Sequence, residues 1–197
     1  MRILRSAILA ICSAALLFGQ IPPIPKSYDL FAHFNTSMGE IVVQLFTESA
    51  PRTVANFVAL AESKKPTQTK TGAKVVRPFY NGLEFHRVIK GFMIQTGEVA
   101  PGKGCGVPNL HDEIDPNRSF ATAGTLAMAN TGKPNTSSCQ IFITVTPQKP
   151  LDGSYTIFGH VISGQDVADA ISEVAVKGDR PVTPVMIKSV TIERRPR

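Results

Sequence analysis

The sequence is poor in the clusters on which most catalytic chemistry depends. Its 197 residues hold three cysteines and four histidines, with no Cys-x-x-Cys pair and no Cys/His spacing suited to zinc, which sets a metal site aside. Gly102, Gly104 and Gly106 lack the spacing of a dinucleotide-binding turn, and no helical pattern follows them. No serine or cysteine lies in a nucleophile-elbow context, and His86, His111 and His160 are far apart in the chain, so hydrolysis has no constellation to rest on. The run His111-Asp112-Glu113-Ile114-Asp115 reads as a solvated loop, because adjacent residues rarely converge on one ion. No basic helix or aromatic-interleaved stripe points to nucleic acid. There is no internal repeat and no domain linker. The apolar run of residues 7–18 is shorter than the about 20 residues of a membrane span.

What is present bounds the rest. With 43% hydrophobic and 18% charged residues, the chain reads as one globular domain. Arg2 and Arg5 ahead of the apolar run give residues 1–19 the form of a secretory signal, with cleavage expected near Gly19 or Gln20. An uncleaved signal anchor is the alternative; lipidation at Cys12 is disfavoured by the bulk of Ile11. The expected destination is the periplasm or the exterior, with no stable membrane insertion after cleavage. Residues 20–29, with Pro22, Pro23 and Pro25, read as a stiff extended leader, 30–193 as the domain, and 194–197 as a basic tail. The formal charge of +6 loses two with the signal, and the remaining basic residues are scattered apart from Arg194, Arg195 and Arg197, a pattern that serves solubility. Two cysteines stay behind, Cys105 and Cys139; in an oxidising compartment such a pair often closes, and the other reading is two loop thiols.

Residues 32–36 and 40–46 flank Ser37-Met38-Gly39 as the strands of a hairpin. Ser49 is placed to cap a helix running from Ala50 and Pro51 to about Ser63, with Val54, Phe57, Val58 and Ala61 as its apolar stripe. Residues 64–78 read as a polar, basic surface loop and 100–118 as a long Gly/Pro-rich one. Further strands fit 124–129, 140–145, 156–161 and 185–193, and a second helix fits 165–174. Seven or eight short strands with two helices make a mainly β chain, best closed as an antiparallel barrel.

Residues 85–98 carry the most chemistry. On an extended strand, Arg87 and Ile89 share a face opposite His86 and Val88; past the Gly91 bend, Met93 and Gln95 share a face opposite Phe92 and Ile94. Folded as a hairpin, these halves converge a guanidinium, an amide and apolar side chains on one patch. Such a patch suits a small, mostly apolar ligand with one or two carbonyl groups. The other reading is a hairpin whose arginine merely snorkels to water.

Together with Gly124-Thr125-Leu126-Ala127-Met128-Ala129-Asn130, Gln140-Ile141-Phe142-Ile143, Leu151-Asp152-Gly153 and Phe158-Gly159, this run resembles the cyclophilins, a family of peptidyl-prolyl cis–trans isomerases, over about residues 30–193. The resemblance implies a closed eight-stranded antiparallel β-barrel capped by two α-helices, no cofactor, proline-containing polypeptides as partners, and a monomer. It implies a catalytic role for Arg87 beside the proline and an apolar pocket walled by Phe92, Met93, Phe142 and Leu151. Gln95 would bond the substrate backbone, the Asn130 main chain would pair with it, and Ala129 and Gln140 would line the groove. His86, carried in the same motif, is read as structural.

Three positions depart from the pattern. Pro150 stands where many members have a tryptophan that contacts cyclosporin, so weak sensitivity to that drug is expected. Tyr155 replaces a frequent histidine while keeping a flat ring with a polar tip. Ile141 replaces a common phenylalanine, a conservative packing change. The resemblance also sets Cys105 and Cys139 at the border of the pocket beside the proline site, implying a disulfide that braces it. Two alternatives stay open: a non-catalytic peptide-binding chaperone on the same barrel, and a barrel for small lipophilic ligands, which closely spaced large core residues disfavour.

Overall fold

The structure, a computed structural model, describes residues 28–197; the expected signal and nearly all of the leader lie outside the described residues. In chain order the elements are β1 (Tyr28–Thr36), β2 (Gly39–Leu45), α1 (Pro51–Ala61), β3 (Thr67–Gln68), β4 (Lys74–Val75), β5 (Arg87–Ile89), β6 (Met93–Thr96), β7 (Thr125–Met128), β8 (Ile141–Thr144), a single 3-10 turn (Lys149–Leu151), β9 (Ile157–Ser163), α2 (Gln165–Ser172), β10 (Val176–Lys177), β11 (Arg180–Pro181) and β12 (Ile187–Pro196). Residues 64–78, expected as a plain loop, contain the small hairpin β3–β4. The region read as a basic tail belongs to β12, which pairs with β1 from Thr36 back to Tyr28.

Eight strands make one antiparallel sheet in the order β12-β1-β2-β9-β7-β8-β6-β5. The edge strands β12 and β5 share no ladder. The circle closes just ahead of them, where Glu84 bridges Met186, the Phe85 amide donates to the Val185 carbonyl at 3.0 Å and the Ile187 amide donates to the Leu83 carbonyl at 2.8 Å. The barrel is therefore shut by a short seam.

Alternation along each strand sorts side chains to two faces. Leu30, Ala32, Phe34, Ile41, Val43, Ile94, Leu126, Ile141, Ile143 and Phe158 join one buried interior cluster. Phe57 of α1 enters that interior, with its ring 5.1 Å from Tyr80, 5.5 Å from Phe158 and 5.9 Å from Phe34. Met93, Ala127, Phe142 and Ile157 form a separate cluster with Phe120, on the outer face of the same strands.

Two local expectations change. Ser49 does not cap α1: the capping position is Ala50, with no side-chain bond. Glu113, from the stretch read as solvated, accepts hydrogen bonds from the Arg52 amide at 3.0 Å and the Thr53 amide at 2.8 Å. A carboxylate there satisfies two of the helix's open N–H groups and opposes its positive end. At α2 the chain enters through Gly164 at φ +81°, and a Cβ there would meet the Glu40 carbonyl oxygen at 2.1 Å, so only glycine lets the helix sit this close to β2.

Candidate active site

Register builds the site. Arg87 of β5 lies opposite Gln95 of β6, Gln95 opposite Phe142 of β8, and Phe142 opposite Ala127 of β7. One transverse row on the outer face thus runs from guanidinium to amide to aromatic ring. Around that row is a cavity of about 170 Å³. Its lining includes Arg87, Gln95 and Asn130 on the polar side, and Phe92, Met93, Ala129, Phe142, Leu151 and Tyr155 on the apolar side. Nine of the ten residues that the resemblance assigns to catalysis and substrate binding therefore meet in one pocket. The tenth, Gln140, touches it through an amide chain: Arg87 Nη1 donates to Gln95 Oε1 at 3.3 Å, and Gln95 Nε2 donates to Gln140 Oε1 at 2.7 Å.

Phe92 reaches the pocket although strict alternation sets it opposite Met93. It belongs to the turn and not to the strand: β6 begins at Met93, and Gly91 turns the chain at φ +66°. Leu151 is presented by the 3-10 turn, whose central residue Pro150 is exposed. Asp152 fixes that turn by accepting from the Phe120 amide and the Ser119 hydroxyl, both at 2.7 Å. Tyr155 stands edge-on to Phe142 at 5.4 Å, and Phe120 stacks behind Phe142 at 5.9 Å with planes 6° apart, so the aromatic wall is two rings deep.

Phe120 and Asp179 were not among the residues read from sequence. Phe120 ends a Gly/Pro-rich loop with no periodicity to mark it. Asp179 sits in the turn between β10 and β11, and its carboxylate accepts from Arg87 Nε at 3.1 Å across 92 residues. Arg87 is thus held from two sides, by Asp179 at Nε and by Gln95 at Nη1, while its side chain remains 43% exposed. Asn130 has its side chain turned back, Nδ2 donating to the Ser154 carbonyl at 3.0 Å and Oδ1 accepting from the Gly132 amide at 2.9 Å.

His86 does not line the cavity. Its side chain is 9% exposed, with Nε2 4.0 Å from Glu98 Oε2, and Nδ1 is buried without a partner among the described residues. Burial, aided by the charges of Arg180 and Arg87, holds the imidazole below its ordinary range against the opposing pull of Glu98 and Glu84. Cys105 and Cys139 are joined, with Cα atoms 6.4 Å apart. Cys139 immediately precedes Gln140, and its carbonyl accepts from the Tyr80 hydroxyl at 3.0 Å. Gly97 packs on that segment at φ +96°, where a Cβ would meet the Cys139 oxygen at 2.4 Å. Among the described residues no group of histidine, cysteine, aspartate and glutamate is arranged to hold a metal ion.

This arrangement can hold a small ring against an aromatic wall while a fixed cation and an amide address polar atoms beside it. Comparison with known proteins agrees. The family model described as cyclophilin type peptidyl-prolyl cis-trans isomerase matches residues 31–192. The Mycobacterium tuberculosis protein named peptidyl-prolyl cis-trans isomerase A is 47% identical over 168 residues, covering 82% of this chain and 91% of that one. Peptidyl-prolyl cis-trans isomerase B of Streptomyces anulatus is 42% identical over 173 residues, covering 84% and 98%. A crystal structure of a Cryptosporidium parvum cyclophilin type peptidyl-prolyl cis-trans isomerase superposes with a TM-score of 0.73 at 31% identity, over 86% of this chain and all of that one. A second structure of that protein, in the presence of the dipeptide Ala-Pro, gives 0.72 at 31% identity, over 83% and 98%. With its barrel, its outer-face pocket and this coverage, the chain belongs to the cyclophilin-type peptidyl-prolyl cis–trans isomerase family.

Proposed function

We propose that this protein accelerates rotation about X-Pro peptide bonds in polypeptides. The observation that carries the reading is the single row in which a doubly anchored Arg87 and Gln95 flank an aromatic-walled cavity. Rotation crosses a barrier of roughly 18–20 kcal/mol because it breaks amide resonance. Nothing covalent is needed, only tighter binding of the twisted amide than of either planar isomer.

In the twisted state the prolyl nitrogen becomes pyramidal and regains a lone pair. Arg87 donates to that lone pair, and arginine stays charged throughout the physiological range. Phe92, Met93, Phe142, Leu151 and Tyr155 grip the ring and lower the local dielectric, strengthening the guanidinium's effect. Gln95 and the Asn130 main chain hold the flanking backbone, so binding away from the bond assists the twist. Asp179 and Gln95 fix the guanidinium before substrate arrives, which removes reorganisation from the reacting step.

Residues 1–19 direct export, so the clients are exported chains in the course of folding, and the Cys105–Cys139 bond braces the rim beside Gln140. The monomer is the working form. Cyclosporin inhibits weakly, because Pro150 offers no indole at the rim. The test is exchange spectroscopy on a proline peptide. Wild type raises the interconversion rate and Arg87→Ala does not; a protein that shifts the isomer ratio without speeding exchange is a binding module, and the proposal falls.

A further inference from the structure

The two basic stretches of the chain are in opposite electrostatic states. The arginines at the C-terminal end all have carboxylate partners: Arg194 with Glu62, Arg195 with Glu193, and Arg197, just past the strand, with both Asp29 and Glu48. Glu193 is held down at about 2 by its bonds to Arg195 and His33. Residues 64–78 contain Lys64, Lys65, Lys70, Lys74 and Arg77 and no acidic residue. Lys64 pairs with Glu62. Lys65, Lys70, Lys74, Arg77 and the neighbouring Lys103 have no carboxylate partner among the described residues. Five cations without a carboxylate partner are therefore gathered on the β3–β4 hairpin and the loops beside it, four of them in residues 64–78, a stretch that holds no acid.

That hairpin borders an open groove of about 410 Å³ whose lining includes Lys64, Lys65, Lys74 and Gly106. Lys65 is partly buried, which pushes its ammonium below the usual lysine range; its Nζ donates to Asn56 Oδ1 at 2.6 Å, and Asn56 Nδ2 donates to the Ser138 carbonyl at 2.8 Å. A second link runs from the Gln68 amide to the Cys105 carbonyl at 2.8 Å. The first link ends at Ser138, beside Cys139 and Gln140, and the second on Cys105, the disulfide partner of Cys139. The Cα path from Gln140 through Cys139 and Cys105 to Gly106 is at most about 14 Å, which four or five extended residues span. The pocket and the groove are thus within the span of one short extended segment.

We infer that this groove extends the substrate site and takes an acidic segment, rich in aspartate or glutamate, on one side of the proline. The inference rests on the reading of the pocket as an isomerase site. A polypeptide fits better than a nucleic acid, because among the described residues no aromatic side chain lines the groove on which a base could stack, and because the nearby pocket already addresses a backbone amide.

Three proline peptides test it: one neutral, one with four glutamates before the proline, one with four after. At low salt, kcat/KM for one of the acidic peptides exceeds the neutral value by about three- to tenfold, the sum of a few exposed ion pairs. The gain disappears near about 0.5 M salt and in the Lys70→Gln, Lys74→Gln, Arg77→Gln variant. It survives Lys70→Arg with Lys74→Arg, and the neutral peptide's rate is the same in all variants. Equal gains at both ends, no gain at either, or a gain that outlasts the triple variant overturns the inference. Displacement of the acidic peptide by a single-stranded oligonucleotide of equal charge at lower concentration overturns it in favour of nucleic acid. If even the neutral peptide is not accelerated, the isomerase reading fails instead, and the same preference is then read from the peptides' Kd values.

Discussion

Strands β6, β7 and β8 present two faces that share one backbone and do unlike work. Inward, Ile94, Leu126, Met128, Ile141 and Ile143 are aliphatic and wholly buried; what matters there is volume, because interiors pack at crystal-like density. Outward, Met93, Gln95, Ala127 and Phe142 are chemically diverse, and what matters is which group stands opposite which across the ladder. The inner face sets how firmly the row is held, and the outer face sets what the row does. Stability and activity should therefore separate cleanly by strand parity.

The sharpest way to break that separation is to empty the interior. Phe57→Ala, at the meeting point of Phe34, Tyr80 and Phe158, is expected to cost about 3–5 kcal/mol in denaturant unfolding. The exchange rate per folded molecule should stay within about twofold, and a large fall would show the faces to be coupled. The converse change is Arg87→Ala. It should lower isomerase turnover by about a hundred- to a thousandfold, on the order of 3–4 kcal/mol. The denaturation midpoint should barely move, since the guanidinium's ion pair with Asp179 is about half exposed and worth at most about 1 kcal/mol.

Replacing both Cys105 and Cys139 with serine probes the boundary between the faces. Closing a loop of sequence separation 34 is worth about 2–4 kcal/mol, so urea unfolding should shift by that amount; an unchanged midpoint would mean the bond adds nothing to the fold. Glu113→Ala should cost about 1 kcal/mol by leaving two amides of α1 without their acceptor. The pH effect comes last. His86 and His160 are both held below their ordinary value of 6.5, chiefly by burial. The unfolded chain then binds protons that the folded one refuses, so their contribution is intact above pH 6.5 and is lost as pH falls below it. Tm should decline modestly over that range, and His86→Gln should flatten the slope.

The outer row was legible because its logic is local: alternation puts Arg87, Met93 and Gln95 together once Gly91 is granted a turn. The family motifs then supplied Phe142, Leu151 and Tyr155. What stayed hidden was set by contacts without a local pattern. Asp179 meets Arg87 across 92 residues, and Glu113 reaches α1 across 61, while the obvious candidate, Ser49, accepts instead from Arg118 Nε. Charge misled for the same reason. Composition presents the C-terminal arginines as the basic cluster, yet the fold brings them acids from Asp29, Glu48 and Glu62, and leaves the hairpin lysines without any. The seam of the barrel is likewise a tertiary matter, since it joins segments about a hundred residues apart by only a few backbone hydrogen bonds.

The pairing of Tyr28 with Pro196 has a mechanical consequence. The first and last strands run antiparallel, side by side, and their outer ends meet at one corner of the barrel. Force applied between Tyr28 and Arg197 would open the β1–β12 ladder like a zipper, loading one residue pair at a time, with the ion pairs of Arg197 to Asp29 and Glu48 as the first teeth. A barrel whose interior is closely packed can thus yield to a weak pull at one corner.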